Sequence, residues 1–195
     1  MGRQLKGSKF ERETCVRLSL WWSEGRRDDL FWRSAGSGAR AKVRGRRGKQ
    51  THGHHGDIVA THPHGEPLID VLTLELKRGY AGATIHDLID KPDRAPKAQP
   101  YDAWIEQAEE SHLAAGSLSW GIVSRRDRRD ALITLPHVFY EIARAVLAEV
   151  PACHTISRTR YVRHNGKPIT LWTMRFDEWL EAWTPSDIKH IQRAN

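Results

Sequence analysis

Apolar positions first recur at helical spacing near the N-terminus, where Phe10, Thr14, Leu18 and Trp21 share a face that Val16 and Leu20 widen. The spacing predicts a helix opening at Ser8, with Ser8 and Glu11 arranged as a capping box. Gly25, beside Arg26 and Arg27, suits its end. Leu30 to Arg33 is a short apolar and aromatic run, the first expected strand. Asp57 to Ala60 and Leu68 to Lys77 flank the turn chemistry of Pro63 to Pro67 and read as a β-hairpin. Antiparallel pairing around a turn near Gly65 would set Asp57 opposite Glu75. From Arg78 to Pro100 glycines and prolines break every period, leaving an irregular connection with a short helix around Ile85 to Ile89. Asp102 to Ala115 reads as a helix with Trp104, Ile105, Ala108 and Leu113 facing inward, ended by Gly116. Leu118 to Val123 and Ala131 to Leu135 are strands on either side of the charged turn Arg125 to Asp130, and Pro136 opens a helix running to about Glu149. Beyond Pro151, Arg158 to Arg163 and Pro168 to Met174 form a hairpin around Asn165-Gly166, followed by a helix from Phe176 to Trp183.

A chain of 195 residues can bury one good core. Pro151 divides it into an expected core of residues 1–150 and a C-terminal hairpin-helix extension of residues 151–195 packed on that core. No apolar run approaches the roughly 20 residues of a membrane span, so no membrane partner is expected. The N-terminus has no secretory apolar stretch. Cys15 and Cys153 are the only cysteines and form no CxxC pair, which suits a reduced, cytoplasmic protein without a zinc-thiolate site.

Charge changes the picture more. Lys and Arg number 31 against 24 Asp and Glu, for a net charge of +7, which favours a polyanionic partner such as nucleic acid. Much of the excess lies in the glycine-punctuated stretch after Gly38, where Arg40, Lys42, Arg44, Arg46 and Arg47 are candidate DNA phosphate contacts. A merely solubilising loop is the plainer alternative. His52, His54 and His55 follow without a partner pair at structural-zinc spacing, so they read as exposed or phosphate-facing.

In a strand, Glu75 and Lys77 project to one face while Leu74 and Leu76 project to the other. Alone, Glu-x-Lys is a common cross-strand ion-pair pattern. With Asp57 opposite Glu75, two carboxylates repel unless a cation holds them. Hard oxygen donors suit Mg²⁺ or Mn²⁺, and the ammonium of Lys77 can stabilise charge or orient a water.

The order Asp57, then Glu75-x-Lys77, resembles the motif of the PD-(D/E)xK nuclease superfamily. The resemblance narrows over residues 6–80. Lys6-Gly7-Ser8-Lys9-Phe10-Glu11-Arg12-Glu13, Arg33-Ser34-Ala35-Gly36-Ser37 and Gly56-Asp57-Ile58-Val59-Ala60 are similar to segments of archaeal-type Holliday junction resolvases and their phage relatives. It implies an α/β, restriction-endonuclease-like core, with a mixed central β-sheet flanked by helices, that hydrolyses DNA with Mg²⁺ (or Mn²⁺). Asp57 and Glu75 would ligate the metal, with the Leu76 carbonyl as a further ligand. Glu11 would reach the same site, although the capping box competes for its carboxylate and Glu13 stands nearby. Lys77 would act on the attacking water or the developing charge. Arg33, Ser34 and Ser37 would contact DNA beside the site, and Gln107 would stand behind the metal ligands, as the glutamine on the helix after the Glu-x-Lys strand does in other members of the superfamily. The implied substrate is branched DNA such as a four-way junction, cut by a homodimer inside a cell or a phage-infected host. A nuclease acting on linear or flapped DNA, and a non-catalytic DNA-binding protein with this fold, are the alternatives. The basic insertion of residues 38–55 and the stretches 79–100 and 151–195 depart from the resolvase pattern.

Overall fold

The computed structural model describes residues 2–34, 55–80, 82–88, 100–162 and 168–195. Ser37, Arg40, Lys42, Arg44, Arg46 and Arg47, and the Asn165-Gly166 turn, lie outside the described residues. Helix α1 spans Gly2–Trp22. It buries Phe10, Thr14, Cys15, Leu18, Ser19 and Trp22, a set of spacings of three and four that keeps one face inward. Strands β1 (Phe31–Arg33) and β2 (Ile58–Ala60) form a two-stranded antiparallel sheet. The Ser19 hydroxyl ties that sheet to α1, donating to the Cys15 carbonyl at 2.8 Å and accepting from the Phe31 amide at 3.0 Å.

A short 3-10 turn (Pro63–Gly65) and helix α2 (Glu66–Val71) precede strand β3 (Leu72–Arg78). A further 3-10 turn (Ile85–Leu88) and helix α3 (Pro100–Ala115) lead to β4 (Ser119–Arg125) and β5 (Leu132–Pro136). The chain continues through α4 (His137–Val146), β6 (Ile156–Val162), β7 (Pro168–Arg175), α5 (Phe176–Ala182) and α6 (Pro185–Ala194). The main sheet has the order β3-β4-β5-β7-β6. Its β3–β4 pair is parallel and the others are antiparallel. This is the α/β architecture expected, a mixed sheet flanked by helices in the restriction-endonuclease-like manner. The segment 151–195 supplies two of the five strands and buries Trp179, Trp183, Ile188 and Ile191 in the same cluster as α1.

Three expectations are corrected. The hairpin between Asp57–Ala60 and Leu68–Lys77 does not form. Pro63 and Pro67 suit first helical turns, Leu68 and Val71 are buried at a helical spacing of three, and β2 pairs with β1 instead. The capping box at Ser8 does not form either, because α1 already runs from Gly2; the Ser8 hydroxyl accepts from Arg33 Nη1 at 2.9 Å. A reciprocal capping box does occur at Thr184 and Asp187, opening α6, a helix the sequence reading lacks. Leu113, expected inward, is exposed.

A parallel strand pair needs a crossover, usually a helix lying on one face of the sheet. Here α3 is that crossover, so one face of β3 and β4 is covered by α3. The opposite face packs Leu72, Leu74, Leu76, Val123, Ile133 and Leu135 against α1, α4, α5 and α6. Close packing continues into the sheet itself: a Cβ on Gly121 would lie 2.9 Å from Leu74 Cδ2.

Candidate active site

Glu75 and Lys77 leave β3 on the α3 side and are buried, at 1% and 8% exposure. Lys77 Nζ donates to Glu75 Oε2 at 2.8 Å and to Gln107 Oε1 at 3.1 Å. Gln107 Nε2 donates to the same Glu75 oxygen at 2.6 Å. The other carboxylate oxygen, Oε1, accepts from the Ser111 hydroxyl at 2.9 Å. Gln107 and Ser111 are four residues apart on α3 and so present adjacent side chains to the strand. Ser111 was missed in the sequence; its position one helical turn beyond Gln107 is the signal that could have found it.

Asp57 reaches the backbone flanking Glu75 by a route other than a hairpin. Its amide donates to the Leu74 carbonyl at 2.9 Å, and its Oδ2 accepts from the Leu76 amide at 2.7 Å. One residue thus satisfies two polar groups on the edge of β3 that, among the described residues, no neighbouring strand covers. Gly56 makes this approach possible. Its φ is +82°, and a Cβ there would lie 2.8 Å from Thr73 Cγ2 and 3.0 Å from the Leu74 carbonyl oxygen. Ser34, directly after β1, is buried and bonded to the backbone before β2: its hydroxyl donates to the Gly56 carbonyl at 2.8 Å, and its amide to the Asp57 carbonyl at 2.9 Å. The structure therefore places Ser34 under Asp57, with its hydroxyl already engaged.

Glu11 lies on α1 with its side chain 19% exposed, 3.7 Å from Arg33 Nη1. Glu13 points away, toward Arg125 Nη1 at 3.5 Å. Burial pushes the Asp57 carboxyl up to about 7, Glu75 and Glu11 add to the shift, and Lys77 and the Leu76 amide oppose it. Burial also raises the Cys15 thiol to about 12, with Glu11 and Asp57 contributing. Negative potential from α1 and from the β3 edge therefore converges between these elements.

Among the described residues, no group of three or more His, Cys, Asp and Glu side chains is arranged to hold a metal ion. The pair Asp57 and Glu75 nevertheless fits a hard divalent cation chemically. Both offer carboxylate oxygens, and the Asp57 carboxyl is raised first by burial and then by the charge of Glu75, a repulsion that a bound cation would relieve. Among the described residues, no helix is long and apolar enough to cross a membrane.

The model of a family described as "Phage putative PDDEXK endonuclease" matches residues 2–190 of the chain. No match is found among curated proteins or among solved structures.

Proposed function

The chain belongs to this phage PDDEXK endonuclease family, a family of nucleases, and from that premise we propose that it is a divalent-cation-dependent endodeoxyribonuclease whose site is Asp57, Glu75 and Lys77. The observation that carries the reading is the buried Glu75–Lys77 pair, held by Gln107, with the Asp57 carboxylate bonded to the Leu76 amide between them. Asp57 and Glu75 would hold Mg²⁺ or Mn²⁺, with Glu11 approaching from α1 and the Leu76 carbonyl nearby. Such a cation would supply Lewis-acid stabilisation at the phosphate and lower the pKa of a water. Gln107 and Ser111 fix the Glu75 carboxylate so that its lone pairs point consistently. The Lys77 ammonium is held on the same strand face, where it can stabilise charge on the phosphate or orient the water. Arg33, anchored on Ser8 and near Glu11, is exposed beside the site and fits a DNA phosphate contact. Branched DNA, such as a four-way junction cut by a homodimer, is the substrate class supported by the N-terminal segments.

The test is cleavage of junction, flap, nicked and linear DNA with Mg²⁺, alongside Asp57→Asn and Lys77→Ala. The reading expects junction cleavage in the wild type and its loss in both variants. Absence of cleavage on every substrate would overturn the enzyme. Linear duplex cut as fast as the junction would remove the branched-substrate assignment while leaving the nuclease.

A further inference from the structure

The β4–β5 turn lies where the strand carrying Lys77 ends. In the parallel β3–β4 register, Lys77 sits beside Ser124 and Arg78 beside Arg125. Adjacent strands lie about 5 Å apart, so the turn starts within one arginine length of the site. It contains four arginines, Arg125, Arg126, Arg128 and Arg129, and two aspartates. The aspartates are engaged within the protein: Asp127 with Arg78 at 3.0 Å and Asp130 with Arg175 at 3.1 Å. Arg125 is turned toward α1, near Glu13. Arg126, Arg128 and Arg129 are exposed.

Two details orient these side chains. Ser124 faces α3, bonded at 3.1 Å to the Tyr101 hydroxyl, and burial raises that hydroxyl's pKa while the charge of Arg126 pulls it down. Arg126 follows directly after β4 and is near enough to Tyr101, in the first turn of α3, for its charge to act on that hydroxyl. Arg128 has φ +58°, a conformation that costs a residue with a side chain about 1 kcal/mol and that glycine adopts freely. Glycine would adopt this conformation more easily, and the residue present is an exposed arginine.

We propose that the Arg125–Arg129 turn binds the phosphate backbone of nucleic acid next to the site, with Arg126, Arg128 and Arg129 as the contacting cations. The proposal rests on the nuclease reading but assigns a surface that reading does not name. Exposed guanidiniums at the end of the strand that bears Lys77 would hold phosphates flanking the one at the site, fixing register without reading sequence.

The test measures binding of the full chain to labelled four-way and duplex DNA by fluorescence anisotropy in EDTA, across salt concentrations. The variants are Arg126→Gln/Arg128→Gln/Arg129→Gln, the matching triple lysine variant, and Arg128→Gly, each checked by thermal melting. The glutamine triple should bind on the order of 10- to 100-fold more weakly, with a log K against log salt slope shallower by about 2–3. The lysine triple should recover most of both. Arg128→Gly should lose affinity while melting no lower than wild type, so it remains informative even if the triple variant misfolds. Unchanged affinity and slope in folded variants would overturn the assignment while wild-type binding and cleavage keep the nuclease reading intact. Failure of the lysine triple to recover anything would also overturn it, pointing to a structural role. A wild type that binds no DNA would overturn both.

Discussion

Leu72, Leu74 and Leu76 leave β3 toward a cluster that includes Trp22, Phe139, Trp179 and Trp183, whereas Thr73, Glu75 and Lys77 leave it toward α3, and all six are buried. On the first face any well-shaped apolar side chain would satisfy its surroundings. On the second, each polar group has a specific partner. The Thr73 and Ser117 hydroxyls are 2.8 Å apart, Glu75 has Gln107 and Ser111, and Lys77 has Glu75 and Gln107. Burying a carboxylate and an ammonium is offset only partly by their mutual attraction. One side of the strand supplies stability, and the other costs stability to hold a charged pair in fixed geometry. That asymmetry is what a site on a rigid scaffold requires.

The largest expected separation comes from swapping charge on the polar face. Lys77→Met, which keeps the chain length, should lower single-turnover cleavage on the order of 10³-fold, as loss of a fixed cation at the reacting phosphate does. Asp57→Asn keeps an oxygen for the Leu76 amide and should lower cleavage at least as far. Asp57→Asn should not lower the melting temperature, since it removes one of two repelling carboxylates. A folded Lys77→Met protein that cleaves normally would break the division between the faces.

The mirror experiment lies on the apolar face. Leu74→Ala leaves the side-chain volume between Gly121 and Leu135 unfilled and should cost about 2–5 kcal/mol of stability. Below its melting point, cleavage per folded molecule should stay near wild type, as read by urea denaturation beside single-turnover rates. A loss of cleavage without a loss of stability would show that the two faces are coupled through the backbone of β3.

Much of this division could be read from the chain before any coordinates. The alternation Leu74-Glu75-Leu76-Lys77 fixes which residues share a face, and Gln107 falls on the right helix. The α/β architecture and the strands β4, β5 and β7 follow from apolar periods bounded by glycine, proline and charged turns. What the pattern does not reveal is that both faces are buried, since alternating polar residues usually mark a solvated face. That depends on the crossover helix, a tertiary fact. Asp57 was expected opposite Glu75 across a hairpin; instead it bonds the Leu74 carbonyl and the Leu76 amide, the backbone on either side of Glu75. The apolar run from Leu68 serves as helix α2 until Val71, because short apolar runs fit either element. Glu11 showed a capping signature in the sequence. The helix extends past Ser8, so the competing cap is absent and its carboxylate faces Arg33 instead.

A subtler test uses pH. The Asp57 carboxyl is raised from an ordinary value of 3.8 to about 7 by burial and by Glu75. The folded protein therefore holds this proton more tightly than the unfolded chain. The resulting stability is complete below about pH 4 and is lost as pH rises through about 7. Without added metal, the wild type should melt lower at pH 8 than at pH 5, and Asp57→Asn should flatten that slope. Mg²⁺ competes with the proton for the same carboxylates, so its stabilisation should be small at pH 5. At pH 8 it should reach about 2–3 kcal/mol when the metal is near 100 times its Kd. Equal stabilisation by Mg²⁺ at both pH values would place the cation elsewhere.

Ser111 offers the finest probe, because among the described residues its hydroxyl is bonded to a single oxygen of Glu75. Ser111→Ala removes the 2.9 Å bond to Glu75 Oε1 and leaves Gln107 and Lys77 on Oε2. Losing one hydrogen bond to a charged group costs about 1.5–3 kcal/mol of stability, while the carboxylate gains freedom to rotate about its remaining contacts. Outer partners that orient a ligand are typically worth 10- to 100-fold in metal affinity. Calorimetric titration of Ser111→Ala should therefore show weaker Mg²⁺ binding, with cleavage recovered at high Mg²⁺. Threonine at the same position keeps the hydroxyl and should restore both. If alanine instead tightened Mg²⁺ binding, the Ser111 hydroxyl would be occupying the position on Glu75 that the cation takes, and the polar face would be closed by α3 rather than preorganised by it.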